Sequence, residues 1–305
     1  MTSASTALPV KAALSDDTAG MLLGLAGVAI FGLTFPFTRL AVAELPPVFV
    51  ALGRALAAAM LAGAWLTWKR APLPPRSALL PLAAVAGGCI IGFPWLTSIA
   101  LQTLPASHGA VLVGVLPLAT AVFSAMRGNE KPSPGFWAMA LAGSALVIAF
   151  ALRQSGGLFH PADLLMFAAV LLAAIGYTEG GRLSASMGGQ QVISWALLLA
   201  APLLAPVLLW LAWPHAAQIA AAGWQAWAGF AYVAAFSMFI GFFFWYGGMV
   251  RGGIARVGQV QLVQPFISLL GAWLILGEPL EAVNFLFAVA VIAVVAAGRR
   301  MQIKR

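Results

Sequence analysis

Three histidines, His108, His160 and His215, one cysteine and eight carboxylates are the main material this chain offers for bond-making chemistry. The histidines fall in separate connecting stretches, and no HExxH, GxSxG or glycine-rich phosphate loop occurs. An enzyme needs a nucleophile with its base, a metal cluster or paired acids. None is legible, so no catalytic residue, metal or cofactor is expected. The lone Cys89 excludes a disulfide framework and a CxxC metal pair. What the sequence does offer is recognition. Gln261, Gln264, Ser268 and Gly271 step by three, four and three, which places them on one helical face. Two amides and a hydroxyl there can orient a carboxylate and an amine. The plainer alternative is interhelical hydrogen bonding, worth about 0.6 kcal/mol on average in membranes.

The elements that must hold these groups are membrane helices. Of 305 residues 62% are hydrophobic and 8% charged, against roughly 25% charged in soluble domains. A span needs about 20 mostly apolar residues. That rule predicts ten, at roughly 19–38, 47–68, 78–101, 108–126, 135–152, 162–182, 191–212, 224–247, 256–276 and 282–298. Residues 1–18 read as a disordered tail. The apolar run from Met21 is longer than the roughly 7–15 residues of a signal-peptide core, so the first span is retained.

The net charge of +8 is not a nucleic-acid patch, because the basic residues alternate by loop. One side carries Lys11, Lys69, Arg70, Arg76, Arg127, Lys131, Arg182, Arg251, Arg256, Arg299, Arg300, Lys304 and Arg305, and the other only Arg39 and Arg153. Lys and Arg are retained on the cytoplasmic side. Both termini are therefore expected in the cytoplasm, with 300–305 a basic tail and Arg54 left inside span 2.

An internal repeat underlies this pattern. Pro117 precedes Glu130 by thirteen residues in VGVLPLATAVFSAMRGNEK, and Pro265 precedes Glu278 by thirteen in LVQPFISLLGAWLILGEPL. GFPWL at Gly92 matches GFFFW at Gly241, and FGLTFPFTRL at Phe31 matches IGYTEGGRL at Ile175, with offsets of 143 to 149. Two five-helix halves, 19–153 and 154–299, follow. Five is odd, so the second half must enter the membrane inverted. Inverted repeats with matched Pro-interrupted helices mark a midplane site at the repeat interface. A proline also deprives the carbonyl four residues earlier of its partner, here Val113 and Gln261. Unpaired backbone at that depth calls for protein burial or a wet cavity, so Pro117 and Pro265 read as cavity wall; a packing kink is the alternative.

Other candidates lie nearby. Tyr232, Phe236, Phe239, Phe243 and Tyr246 space by four, three, four and three on a predicted single face, of which Tyr246, with neighbouring Trp245, is assigned to the site. Pro94, Trp95 and Ser98 occupy the matching region of span 3. Tyr177 and Thr178 match Leu33 and Thr34, and such residues can stack on an aromatic substrate. Gly20-xxx-Gly24 and Gly88-xxx-Gly92 predict close helix packing. Glu179, the acid well inside a span, reads as a structural partner of Arg182. Arg54 is placed to meet a substrate carboxylate, Glu44 or backbone carbonyls.

The ten spans, inverted halves, basic tail and the proline-to-GNE or GEP ending resemble the drug/metabolite transporter superfamily of the EamA type. Within it the chain looks most like the YddG-like aromatic amino-acid exporters. The resemblance implies an all-α integral membrane protein, a basket of helices around a central cavity. It implies export of amino acids or similar small metabolites across a bacterial-type inner membrane by alternating access. Its partners would be the small-molecule substrate and the lipid bilayer, with no nucleic acid, and the protein would be a monomer. Small multidrug relatives use a span-1 glutamate that this chain lacks, which weighs against proton-coupled cation antiport. The alternative within the superfamily is a sugar-nucleotide or other anionic-metabolite carrier, which would demand several cations at the cavity. A polytopic enzyme and a receptor without transport are the readings outside it.

Overall fold

Ser15 begins the first helix. Its hydroxyl accepts the Thr18 N–H at 3.3 Å, and Asp16 and Asp17 place negative charge on the first turn, where the helix dipole favours it. The helix therefore starts at Asp16, inside the segment expected to be a disordered tail. The computed structural model describes residues 15–127, 131–154 and 161–280 and, beyond them, only 282, 286, 287, 289, 290, 293, 294, 297, 303 and 304.

Nine helical rods fill this range: α1 Asp16–Val42, α2 Phe49–Lys69, α3 Arg76–Ala100, α4 Ala106–Met126, α5 Pro134–Gln154, α6 Pro161–Met187, α7 Gly189–Ala221, α8 Trp224–Gly252 and α9 Ile254–Leu276. Among the described residues, at least eight of these, α1–α4 and α6–α9, are long and apolar enough to cross a membrane, and α5 is itself 21 residues long. The expected tenth span, 282–298, lies mostly outside the described residues. The only strands among them are a two-residue antiparallel pair, β1 Lys131–Pro132 with β2 Ile303–Lys304.

Glycine decides which rods touch closely. A Cβ at Gly20 of α1 would fall into the backbone of Gly252 on α8, and one at Gly27 would meet the backbone of Trp245. On α3, Gly88 lies against the Leu172 carbonyl and Gly176 of α6, and Gly92 against Leu172. Both predicted small-residue motifs thus bring backbones together. Around these pairs α2 packs on α7 and α4 on α9.

Several rods change helical type midway. π-Helical turns run over Phe49–Gly53 in α2, Ala86–Gly92 in α3 and Val233–Ile240 in α8. Tight 3-10 turns run over Val113–Val115 in α4 and Gln259–Val263 in α9. Pro117 and Pro265 follow these turns, each in the first turn of a restarted α-helix, where a missing N–H matters least. This corrects the expectation of orphaned carbonyls. The Val113 carbonyl accepts from Leu116 N–H and the Gln261 carbonyl from Gln264 N–H, because the i→i+3 bond takes over the lost i→i+4 bond.

The ends are pinned by charge. At one face Arg256 pairs with Asp17, and Glu179 meets Arg127 at 2.5 Å and Arg182 at 3.3 Å. At the other, Arg39 donates to the carbonyls of Leu101 and Leu104, both at 2.7 Å. There Gly277, in the left-handed conformation (φ 69°), ends α9 and turns the chain. That turn puts Glu278 over the start of α4, where its two oxygens accept from the Ala106 and Ser107 N–H groups at 3.3 Å each.

Candidate functional site

The interrupted segments converge on one interior cavity. Phe31, Thr34 and Phe35 reach it from the break in α1, Arg54 from α2, Cys89 and Phe93 from α3, Tyr177 from α6, Ser237, Met238 and Phe242 from α8, and Gln264 from α9. Gln264 lies ten residues into its span, about 15 Å at 1.5 Å per residue, which is half of a ~30 Å core. The space between the walls is about 440 Å³, but it is drawn thin among side chains. In this conformation it has room for roughly one water molecule.

The walls are of two kinds. Phe31 and Phe242 meet edge to face at 5.1 Å between centroids, Tyr177 and Phe242 at 6.0 Å, and Phe35 and Phe93 lie 6.3 Å apart. Between these rings sit polar groups: the hydroxyls of Thr34 and Ser237, 2.8 Å from each other, the Gln264 amide, and Arg54. Arg54 is only 1% exposed, yet its Nε and Nη1 have no hydrogen-bond partner among the described residues. Glu44 does not neutralise it, because that carboxylate accepts from the Gly223 N–H at 2.6 Å, at the start of α8. Among the described residues, no carboxylate lines the cavity.

Of the residues singled out in the sequence, Thr34, Arg54, Tyr177 and Gln264 line this cavity. Gln261 is buried one turn before Gln264, its amide beside the Tyr177 hydroxyl. Ser268 is committed elsewhere, its hydroxyl donating to the Gly32 carbonyl at 2.5 Å. Tyr246 is fully buried and donates to the Gly176 carbonyl at 3.2 Å, at the crossing of α6 and α8 rather than on the cavity wall. Trp245 is fully buried beside Tyr177. Pro94, Trp95 and Ser98 lie beyond the lining, with the Ser98 hydroxyl buried and without a hydrogen-bond partner among the described residues. Pro117 and Pro265 restart the helices next to the lining residues Leu116 and Gln264.

In α3 the repeat match GFPWL reached the right stretch but the wrong residues, since Phe93 rather than Pro94 or Trp95 lines the cavity; in α8 the expectation was a count along one helical face. A π turn bonds i→i+5 and inserts a residue into the ladder, so 3.6-residue counting fails across it. The aromatic set expected on one face of α8 is split, with Phe236 46% exposed and Tyr246 fully buried. Phe242 takes the inward place instead, as Phe93 does after the π turn of α3. Ser237 and Met238, inside the π turn, carried no sequence signal. His108 and Asp163 were also missed as a pair: they are buried and hydrogen-bonded at 2.8 Å, not loop residues. Among the described residues, no group of three metal-ligating side chains occurs.

The EamA-like transporter family matches the chain twice, over residues 18–152 and 160–297. The chain belongs to the EamA-like transporter family. "Uncharacterized transporter YdeK" of Bacillus subtilis (strain 168) is similar to it, 45% identical over 290 residues that cover 94% of this chain and 99% of the relative. A crystal structure described only as that of a protein is 20% identical, with a TM-score of 0.70, covering 93% of this chain and 96% of its own; that likeness speaks for the fold. EamA membership and the apolar helices make this a multi-pass membrane transporter rather than an enzyme.

Proposed function

We propose that this transporter is a ten-span monomer made of two inverted five-helix repeats, which exports small amino-acid-like metabolites through the cavity by alternating access. One observation carries this reading. Three pairs of lining residues, Cys89 with Met238, Phe93 with Phe242 and Leu116 with Gln264, stand 149, 149 and 148 residues apart, so both halves contribute equivalent positions to one chamber. The paired glycine crossings, α1 on α8 and α6 on α3, support the same two-fold relation, as does the double family match. In this reading the face holding Asp17, Arg127, Arg182 and Arg256 is cytoplasmic, by the basic-residue rule, in a bacterial-type inner membrane.

A carrier of sugar nucleotides or other multiply charged metabolites is disfavoured. Among the described residues Arg54 is the one cation on the cavity wall, and a second phosphate charge finds no partner among them. The test is uptake into liposomes holding purified protein, with the common amino acids and a sugar nucleotide as labelled solutes. Saturable flux of neutral amino acids is expected. Flux of the sugar nucleotide alone overturns the substrate class, and flux of neither overturns the proposed function.

A further inference from the structure

We propose that Arg54 binds a carboxylate of the transported solute, so that the substrates are small monocarboxylates with an apolar or aromatic body, for which an ammonium group is dispensable. This rests on the transport reading above and deepens it. A guanidinium buried to 1% with two unpartnered nitrogens is a costly arrangement, since an uncompensated buried charge is strongly destabilising. A solute carboxylate removes that cost and matches the planar donor fork. The Thr34 and Ser237 hydroxyls share one hydrogen bond at 2.8 Å, which leaves the other O–H free to donate into the same cavity.

The rest of the wall defines the other requirements. Among the described residues no acidic side chain lines the cavity, so an ammonium group meets neutral acceptors such as the Gln264 amide, and losing it forfeits little. Phe31, Phe35, Phe93 and Phe242 enclose the remainder and select an apolar body. The cation is also one-sided. At the repeat offsets of 143 to 149, Arg54 corresponds to residues 197–203, LLLAAPL, which contain no Lys or Arg. The carboxylate therefore has one wall to bind, which fixes the solute's orientation in an otherwise two-fold chamber.

The experiment uses the full-length protein in liposomes, with labelled phenylalanine as solute. Phenylalanine, 3-phenylpropanoate and phenethylamine serve as unlabelled competitors. 3-Phenylpropanoate is expected to compete within tenfold of phenylalanine, and phenethylamine at least a hundredfold more weakly. Arg54→Gln should abolish this preference for the carboxylate, and Arg54→Lys should restore it in part. Arg54→Met should unfold at a higher temperature than wild type in detergent, and 3-phenylpropanoate should stabilise wild type but not Arg54→Met. Equal competition by phenethylamine, or a carboxylate preference kept in Arg54→Gln, overturns the role of Arg54 while leaving transport standing. Absence of flux for every solute, labelled phenethylamine included, overturns both.

Discussion

The Ser268 hydroxyl donates to the Gly32 carbonyl at 2.5 Å, across the contact between α9 and α1. Gly32 ends the first part of α1, and the residue four positions on is Pro36, which has no N–H to give. The lost backbone partner is thus supplied by a side chain from another helix. Ser268→Ala leaves a buried carbonyl unpaired and should cost about 1–3 kcal/mol, while Ser268→Thr keeps the donor. Thermal unfolding in detergent reads the difference, and the apparent affinity of the surviving protein should stay near wild type. A large affinity change without loss of stability would return Ser268 to the solute pathway.

Pro265 acts differently. Restoring an N–H there lets residue 265 donate to the Gln261 carbonyl, in competition with the 3-10 bond from Gln264. Pro265→Ala should therefore draw the turn toward a regular α-helix and rotate Gln264 on the cavity wall. Stability should hold or improve, while flux into liposomes falls. Gln264→Leu keeps the bulk and removes the polar group, so it should weaken affinity with normal expression. A well-folded pair of variants with unaltered transport would falsify the assignment of this stretch to the solute path.

The helix crossings give a sharper contrast. Gly20→Ala puts a methyl group into the backbone of Gly252, whereas Gly87, with open space around its Cβ position, should accept alanine with little effect. Because α1 and α8 cannot separate locally without losing their shared contact, Gly20→Ala is expected to lower the unfolding temperature markedly or to prevent recovery of monodisperse protein. Equal behaviour of the two variants would mean that the crossing is not a fixed element of the fold.

Much of this was legible because burial in lipid is written as long apolar runs, and close packing as spaced glycines. Gly20, Gly24, Gly88 and Gly92 sit where their spacing placed them. The cavity wall was legible only in part. Thr34, Tyr177 and Gln264 could be found, while Phe93 and Phe242 were passed over inside the matched segments GFPWL and GFFFW, because a repeat match names a stretch of helix and not the face it turns to the cavity. Arg54 stood out as a charge in an apolar span, but its partner could not be read. Glu44, only ten residues away in sequence, is held by the Gly223 N–H instead. His108 looked like a loop residue because its partner Asp163 is 55 residues distant.

The faces can be assigned directly. Ser77 and Thr103 are exposed at opposite ends of α3. With Cys89 replaced, a cysteine at Thr103 should react with an impermeant thiol reagent in intact cells, and one at Ser77 only after lysis. The reverse pattern would invert the proposed orientation and put the termini outside.

Proton coupling is the remaining question that the buried charges answer. α1 has no carboxylate between Gly20 and Val42, and the acids that are buried in the other described rods are already engaged. Glu179 is held by Arg127 and Arg182, and Asp163 by His108. Both partners would have to release Glu179 before it could take part in a transport cycle, so Glu179 is badly placed to serve one. Flux into liposomes should therefore persist, within about a factor of two, when an ionophore collapses the proton gradient. Glu179→Gln should lower stability without changing that insensitivity. If flux instead vanishes with the gradient, the residue to test next is Asp163, by Asp163→Asn, because it is a buried acid hydrogen-bonded to a histidine, His108.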